Sequence, residues 1–461
     1  MRRQFPWIFI LFIYAKIISM QTLVAKGTVV DYILCGRFVV TMDRDHTLIE
    51  NGAVAVRDGI IVDIGPEEVI AKNYSGQKLG NSHKLIMPGL INTHTHAAMV
   101  YFRGLADDLP LKEWLEKHIW PAEARWLSPD FVRDASELAC LELIKAGVTA
   151  FNDMYFFSDE TAEVAKTFGM RATIGLGILD FPTPGGKNPD DYLKKAEDFI
   201  VRWKDSNLIK PAVAPHAIYT CSQNTLLRAM DLARKYKIPV HIHLSETEWE
   251  VKEAIKNYNK RPVEYLHSIG FLDSSVVAAH CVWLDNNEID LMAQKGVYVS
   301  HCPESNLKLA SGIAPVSEML KKGVKVTFGT DGAASNNDLD VLSEVSLAAR
   351  LHKAASSDPT VLDAKTALKG ATLWAAEAIG LGGITGSIEK GKRADIIICD
   401  LDKPHLTPLY DIYSHIVYAM KSSDVETVMI DGRIVMNERT LKTVDEKEVL
   451  KKAEHWSSKI K

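Results

Sequence analysis

A chain of 461 residues that is 47% apolar and 25% charged has the composition of an ordinary folded protein, which excludes a mostly disordered or membrane-embedded one. Its 54 basic and 59 acidic side chains nearly cancel, to a net charge of −5, and no basic tract runs through it, so nucleic acid is not an expected partner. The six cysteines, Cys35, Cys140, Cys221, Cys281, Cys302 and Cys399, form no Cys-x-x-Cys pair. This indicates neither a disulfide framework nor a thiolate metal site, and suits a reducing, cytoplasmic compartment.

Residues 1–28 stand apart. Arg2 and Arg3 precede an apolar run from Phe5 to Ala15, and the first acidic residue is Asp31. The pattern is that of a signal peptide or short anchor, which would export the chain or hold it at a membrane through residues 1–20. No small-x-small cleavage site follows, and the competing reading is a translation start at Met20.

Val29–Val40 and Gly52–Ile64 read as β-branched strands broken by turns at Arg57-Asp58-Gly59 and Gly65-Pro66. From Leu85 onward the pattern changes to short apolar strands alternating with longer amphipathic helices, the signature of parallel βα units. The strands are expected at Ile86–Asn92, Val148–Asp153, Arg171–Gly177, Lys210–Pro215, Pro239–Leu244, Val276–His280, Val297–His301 and Lys325–Gly329. Eight of them predict a closed (β/α)8 barrel of the TIM type, an α/β fold. A helix over Thr366–Ile379 precedes strands at Gly386–Ile398, Val425–Ile430 and Arg433–Met436. These strands and the N-terminal ones need partners, so both chain ends are expected to form one small β-sandwich. The expected organisation is therefore 29–85 plus 386–440 as the sandwich, 86–385 as the barrel and 441–461 as a terminal helix.

The chemistry gathers at the strand ends. In His94-Thr95-His96, side chains two apart on a strand share a face and can meet one metal ion; the alternative is two rings that are merely hydrogen-bonded. In a βα barrel the C-terminal strand ends converge on one mouth, which brings His94 and His96 together with His243, His280 and Asp331. Three histidines and a carboxylate suit a borderline divalent ion with a place left for water, and such an ion turns water into a nucleophile near neutral pH. Glu246, three residues beyond His243, can lean over the ion as a proton shuttle, or be only a helix first-turn carboxylate. His241, one pleat below His243, is expected to support the site from inside the barrel. His280 is read as a group orienting the attacking water, because His94, His96, His243 and Asp331 already fill four positions.

Together, Pro88-Gly89-Leu90 before His94-Thr95-His96, the His243/Glu246 pair, His280 and Thr330-Asp331 resemble the amidohydrolase superfamily. Four further stretches are similar to its methylthioadenosine/S-adenosylhomocysteine deaminases: Leu105-Ala106-Asp107-Asp108-Leu109-Pro110-Leu111, Ile119-Trp120-Pro121-Ala122-Glu123, His301-Cys302-Pro303-Glu304-Ser305-Asn306 and Gly332-Ala333-Ala334-Ser335-Asn336-Asn337. The resemblance runs from about residue 29 to residue 436 and implies one divalent ion per subunit, zinc by preference with iron(II) as second choice, on His94, His96, His243 and Asp331. It implies that Glu123, His216 and Glu246 contact the substrate, Glu123 through ribose hydroxyls. The reaction implied is hydrolytic deamination of adenine in 5′-modified nucleosides to hypoxanthine, with Glu246, His280 and Asp331 catalytic. Barrels of this kind are often symmetric oligomers, so a homo-oligomer is expected.

Two departures bear on this reading. Binuclear relatives carry a carboxylated lysine at the end of strand four, and Arg171–Gly177, assigned to that strand, has none, which favours a single metal. Relatives that accept adenosylhomocysteine carry an arginine in this same segment, where Leu176 stands. Losing an arginine fork weakens recognition of a carboxylate tail and favours methylthioadenosine, 5′-deoxyadenosine or adenosine. Two other functions stay open: a guanine deaminase or triazine-type aminohydrolase or chlorohydrolase on the same fold, and a metal-free scaffold, against which every expected ligand position is filled.

Overall fold

The computed structural model describes residues 27–460; the two readings of the N-terminal leader fall outside the described residues. No helix among the described residues is long and apolar enough to cross a membrane.

The two chain ends meet in one eight-stranded sheet. Its N-terminal strands are β1 (Thr28–Val40), β2 (Leu48–Arg57), β3 (Ile60–Pro66) and β4 (Tyr74–Pro88). The barrel strands follow in sequence, so the C-terminal strands are β13 (Ile396–Asp400), β14 (Val425–Ile430), β15 (Arg433–Asn437) and β16 (Thr440–Leu441). The sheet order is β16-β15-β14-β13-β4-β1-β2-β3. It curls over a core of its own containing Leu34, Val54, Ile61, Ile86, Ile396 and Met429, and Ile61 N–H reaches the carbonyl of Lys392 across the fold. The hairpin between β2 and β3 turns on Asp58 and Gly59, both at positive φ, as a two-residue hairpin turn requires. A Cβ on Gly59 would stand 2.3 Å from the Arg393 guanidinium, so the far end of the chain closes down on this turn.

The barrel strands are β5 (Leu90–Thr95), β6 (Val148–Tyr155), β7 (Arg171–Ile178), β8 (Ile209–Pro215), β9 (Val240–Leu244), β10 (Val276–His280), β11 (Tyr298–His301) and β12 (Lys325–Phe328). They are parallel and lie in chain order from β5 to β12. The seam from β12 back to β5 is stitched by Asp331 N–H to His94 O at 3.0 Å and by Thr93 Oγ1 to Phe328 O at 2.8 Å.

Several sequence expectations shift. The strand expected at Ile86–Asn92 is two strands in different sheets: Ile86 and Pro88 pair with β13, and only from Leu90 does the chain join β6. Gly89 makes the crossing, because a Cβ there would lie 2.1 Å from the Thr149 side chain. Strand β4 was not expected, since its outer half is polar and exposed; parallel pairing with β1 holds it. Of Gly386–Ile398 only the end is strand, because Gly386 and Gly391 turn the chain at positive φ. The helix expected over Thr366–Ile379 breaks at Thr372. Arg171–Ile178 is the third barrel strand, and the fourth is β8. Its only lysine, Lys210, sits at the N-terminal end, so the ending Val213-Ala214-Pro215 still offers no lysine to a second metal.

A buried ion cluster joins sheet to barrel. The Arg171 side chain, 1% exposed, donates to both Asp395 oxygens at 2.8 and 3.1 Å and to Asp431 at 3.0 Å. Both acidic residues belong to the C-terminal part of the sheet. The helix Glu446–Ile460 returns to the barrel, where the Trp456 ring packs 5.1 Å from Phe131.

Candidate metal centre and active-site cavity

His94 closes the buried end of β5 and His96 follows it, with His243 on β9 and Asp331 in the loop after β12. One ligand atom from each of these four lies within 4.8 Å of the others. The backbone decides the tautomers. Nδ1 of His96 donates to Met154 O and Nδ1 of His243 donates to His216 O at 2.8 Å. Carbonyl oxygens only accept, so in the neutral rings both Nε2 atoms present lone pairs, and these face each other at 3.3 Å.

Asp331 Oδ1 lies 3.3 Å from Nε2 of His94 and 3.2 Å from Nε2 of His96. A proton on His96 would answer one of these contacts, but Nε2 of buried His94 would still have no hydrogen-bond partner. A cation answers all of them. A tetrahedral ion with bonds of about 2.0–2.1 Å spaces its donor atoms about 3.3–3.4 Å apart, which matches these three separations, the four donors all lying within 4.8 Å of one another. Burial holds the His94 and His243 rings below the usual range, hence neutral, as ligation requires.

The residues behind the ligands are ordered as well. Nδ1 of His94 meets Nε2 of His241 at 2.7 Å, so His241 supports the site from below, as its place on the strand suggested. Ser305 and Ser335 each donate to Asp331 Oδ2 at 2.7 Å, and Gly332 N–H donates to Oδ1 at 2.8 Å, which holds Oδ1 toward the centre. Sequence reasoning assigned these serines no role, although Ser305 lies in the stretch His301–Asn306 and Ser335 in Gly332–Asn337, both similar to the deaminases.

The centre lies at the floor of an open cavity of about 250 Å³ reached by Glu123, His216, Glu246 and His280. Glu246 is 4% exposed. Its Oε1 accepts from Ser311 at 3.3 Å and its Oε2 lies 3.7 Å from His280 Nε2. Burial, reinforced by the charges of Asp331 and Glu250, pushes this carboxyl well above the usual range, which favours its protonated form. His280 receives a hydrogen bond on Nδ1 from the Asn306 amide at 2.9 Å, which leaves its own proton on Nε2, and burial lowers the ring to about 3.

Glu123 is buried in the helix Trp120–Trp126. Tyr155 donates to it at 2.7 Å, and burial lifts it to about 7 despite that bond. Nothing in the sequence pointed to Tyr155. His216 follows β8 with Nδ1 3.0 Å from Thr220 Oγ1 and its ring 4.6 Å from that of His243.

Leu176 does not reach the cavity and packs into the barrel core; Gly177, Leu179 and Phe181 line the cavity from that segment. The reason is strand alternation: neighbours in β7 point to opposite faces. The lining nonetheless contains no lysine or arginine among the described residues.

The amidohydrolase family model matches residues 85–435. The chain is 56% identical over 433 residues to a 5-methylthioadenosine/S-adenosylhomocysteine deaminase of Thermodesulfovibrio yellowstonii, covering 93% of this chain and 99% of that one. It is 45% identical over 425 residues to a 5′-deoxyadenosine deaminase of Methanosarcina acetivorans, covering 92% and 96%. Among solved structures it is similar to an adenosine deaminase from Xanthomonas campestris with bound zinc, at a TM-score of 0.93 and 40% identity, covering 94% and 99%.

Proposed function

The chain belongs to the amidohydrolase family, in its methylthioadenosine/S-adenosylhomocysteine deaminase branch, and from that premise we propose that it is a metal-dependent deaminase converting the adenine of 5′-modified nucleosides to hypoxanthine with release of ammonia. Methylthioadenosine, 5′-deoxyadenosine and adenosine are the substrates the site fits best, with adenosylhomocysteine behind them. One divalent ion, zinc in preference to iron(II), would be held by His94, His96, His243 and Asp331. The observation that carries this reading is the convergence of three imidazole Nε2 atoms and a carboxylate oxygen, without protons enough to pair them, beneath the buried carboxyl of Glu246.

The ion would supply an activated water at neutral pH. The chain's own groups do the rest. Glu246 gives its proton to ring N1 as water adds at C6, which keeps the ring from carrying a full negative charge. The Nε2–H of His280 orients the attacking oxygen, and Asp331 takes the proton that oxygen sheds and returns it to the departing amine. The hydroxyl left on C6 then returns its proton to Glu246 as the C6 carbonyl forms, so water and nucleoside become ammonia and the hypoxanthine nucleoside with Glu246 and Asp331 restored. Glu123 accepts from the ribose hydroxyls, and His216, which lines the same cavity, contacts the substrate. A homo-oligomer acting on a small molecule in the cytoplasm is the setting this chemistry fits.

The test is a panel of adenine nucleosides with guanine and a chlorotriazine, read by the ultraviolet change from adenine to hypoxanthine and by ammonia release, with metal content measured on the same sample. Turnover of methylthioadenosine or 5′-deoxyadenosine by protein holding about one zinc per subunit supports the reading. Zinc-loaded protein that turns over guanine or the triazine alone overturns the substrate, and protein that binds no metal overturns the reaction.

A further inference from the structure

Glu246 sits on a loop that the backbone does not favour. Ser245, just before it, has φ of 50°, in the left-handed region where a residue with a Cβ is strained. At the facing strand end His280 and Cys281 also have positive φ, 72° and 51°. The two loops are zipped together: Cys281 N–H donates to Leu244 O, and Val282 and Trp283 N–H both donate to Ser245 O. This fixes the carbonyl side of Ser245 and leaves its amide and that of Glu246 to be held from elsewhere.

They are held by Glu250, in the first turn of the helix Glu248–Tyr258. One carboxylate oxygen accepts from Ser245 N–H and the other from Glu246 N–H, each at 2.9 Å. Glu250 is 1% exposed, so nothing in solvent replaces those bonds. The side chain spans the two peptide groups that aim Glu246 at the cavity, and it is not itself needed to start the helix, because Thr247 caps it by accepting from Glu250 N–H.

We propose that Glu250 is a positioning residue for the proton-donating Glu246, holding the strained Ser245–Glu246 turn in the orientation the reaction uses. The proposal deepens the deaminase reading and rests on it for the role of Glu246. A second contribution is electrostatic. The side chains facing Glu246 are His280 after β10, Ser311, Tyr219 after β8, Asp331 after β12 and Glu250 itself, none of them a lysine or arginine, and the positive charge opposite them would be that of the ion on His94, His96, His243 and Asp331. Burial raises Glu250 to about 7, against the pull of its two amide bonds and with Glu288 adding to the rise. On the alkaline side it therefore carries a charge that helps Glu246 keep its proton.

The experiment compares Glu250→Gln and Glu250→Asp with the wild type as zinc-loaded full chains, reading kcat and KM against pH with metal content and thermal melting on the same samples. For Glu250→Gln, kcat falls about 10- to 100-fold while KM and zinc content hold. Its alkaline limb moves down by about one pH unit, since removing a neighbouring negative charge lowers a carboxyl's proton affinity. Glu250→Asp loses kcat through the shorter reach but keeps the charge, so its alkaline limb stays with the wild type. Unchanged kcat in Glu250→Gln, or losses that track zinc content or melting in both variants, overturn the proposal.

The carboxylic acid band of Glu246, assigned by infrared difference between the wild type and Glu246→Gln, gives a readout without substrate. It titrates at lower pH in Glu250→Gln if the proposal holds and is unmoved if it does not. A protein that deaminates none of the panel but shows this shift would separate failure of the substrate reading from failure of the proposal.

Discussion

Nδ1 of His94 lies 2.7 Å from Nε2 of His241, so a ring one layer deeper in the barrel fixes which nitrogen of His94 faces the metal centre. A histidine ligand oriented in this way loses about 10- to 100-fold in metal affinity when its partner goes. His241→Phe keeps the ring volume and removes the acceptor. Zinc affinity measured by competition with a chelator is expected to fall within that range, and wild-type affinity would mean that β5 alone orients His94.

Replacing Glu246 by glutamine removes the proton while leaving the shape. General acid catalysis is worth about 10²- to 10⁴-fold, and kcat for methylthioadenosine is expected to fall by that much with zinc content unchanged. A variant within threefold of wild type would move the proton donor elsewhere.

Among the described residues the cavity lining has no lysine or arginine, and burying a carboxylate without a partner is costly. Methylthioadenosine and 5′-deoxyadenosine are therefore expected to show kcat/KM at least about tenfold above adenosylhomocysteine, the difference lying in KM. Equal values in a competition assay would show that the homocysteine tail extends beyond the cavity and stays solvated.

Arg171→Leu leaves Asp395, whose side chain is 0% exposed, as a buried charge with half its partners gone. Breaking such a pair from one side costs about 3–5 kcal/mol, readable in urea unfolding. The double variant with Asp395→Leu should recover part of this, because no unpaired charge is left behind. A double variant as unstable as the single would show that packing, and not charge, is what the cluster supplies.

Glu304 is pushed up to about 7 by burial and by Asp338 and Asp340, against a hydrogen bond from Ser343. Its folded pKa lies above the unfolded one, so the folded state keeps a proton the unfolded chain releases, and stability from this group is lost as pH rises from about 4.5 through 7. Glu304→Gln retains the acceptor without the charge. Its melting temperature should match wild type at pH 5 and exceed it at pH 8; a constant offset across that range would count against the shift.

Much of the barrel was legible because parallel βα units repeat a short apolar strand and an amphipathic helix, and because C-terminal strand ends converge. Convergence alone brings His94, His96, His243, His280 and Asp331 to one barrel mouth, where His94 is fully buried and the other four line the cavity. What stayed hidden depended on contacts between distant segments. Gly89 looks like part of a continuous apolar run, and only the pressure of Thr149 and the pairing of β4 with β13 make it a crossing between sheets. The polar outer half of β4 has no strand pattern of its own. Leu176 was placed on the wrong face by one residue, since a single step along β7 exchanges cavity for core. Glu250 is indistinguishable in sequence from any helix first-turn acid; only its reach back to two amides sets it apart.

The pairing of β4 with β13 joins residues more than 300 positions apart: Ile86 lies opposite Ile398. A ribosome delivers the first of these long before the second. While the barrel is being made, β4 has β1 on one side and an open edge on the other, and open edges recruit foreign strands. The edge is closed by nearly the last strands to emerge, and the same strands bring Asp395 to Arg171. Maturation of this protein should thus show a late locking step, visible as a window of protease sensitivity and aggregation that closes only once residues around 396–400 have left the exit tunnel.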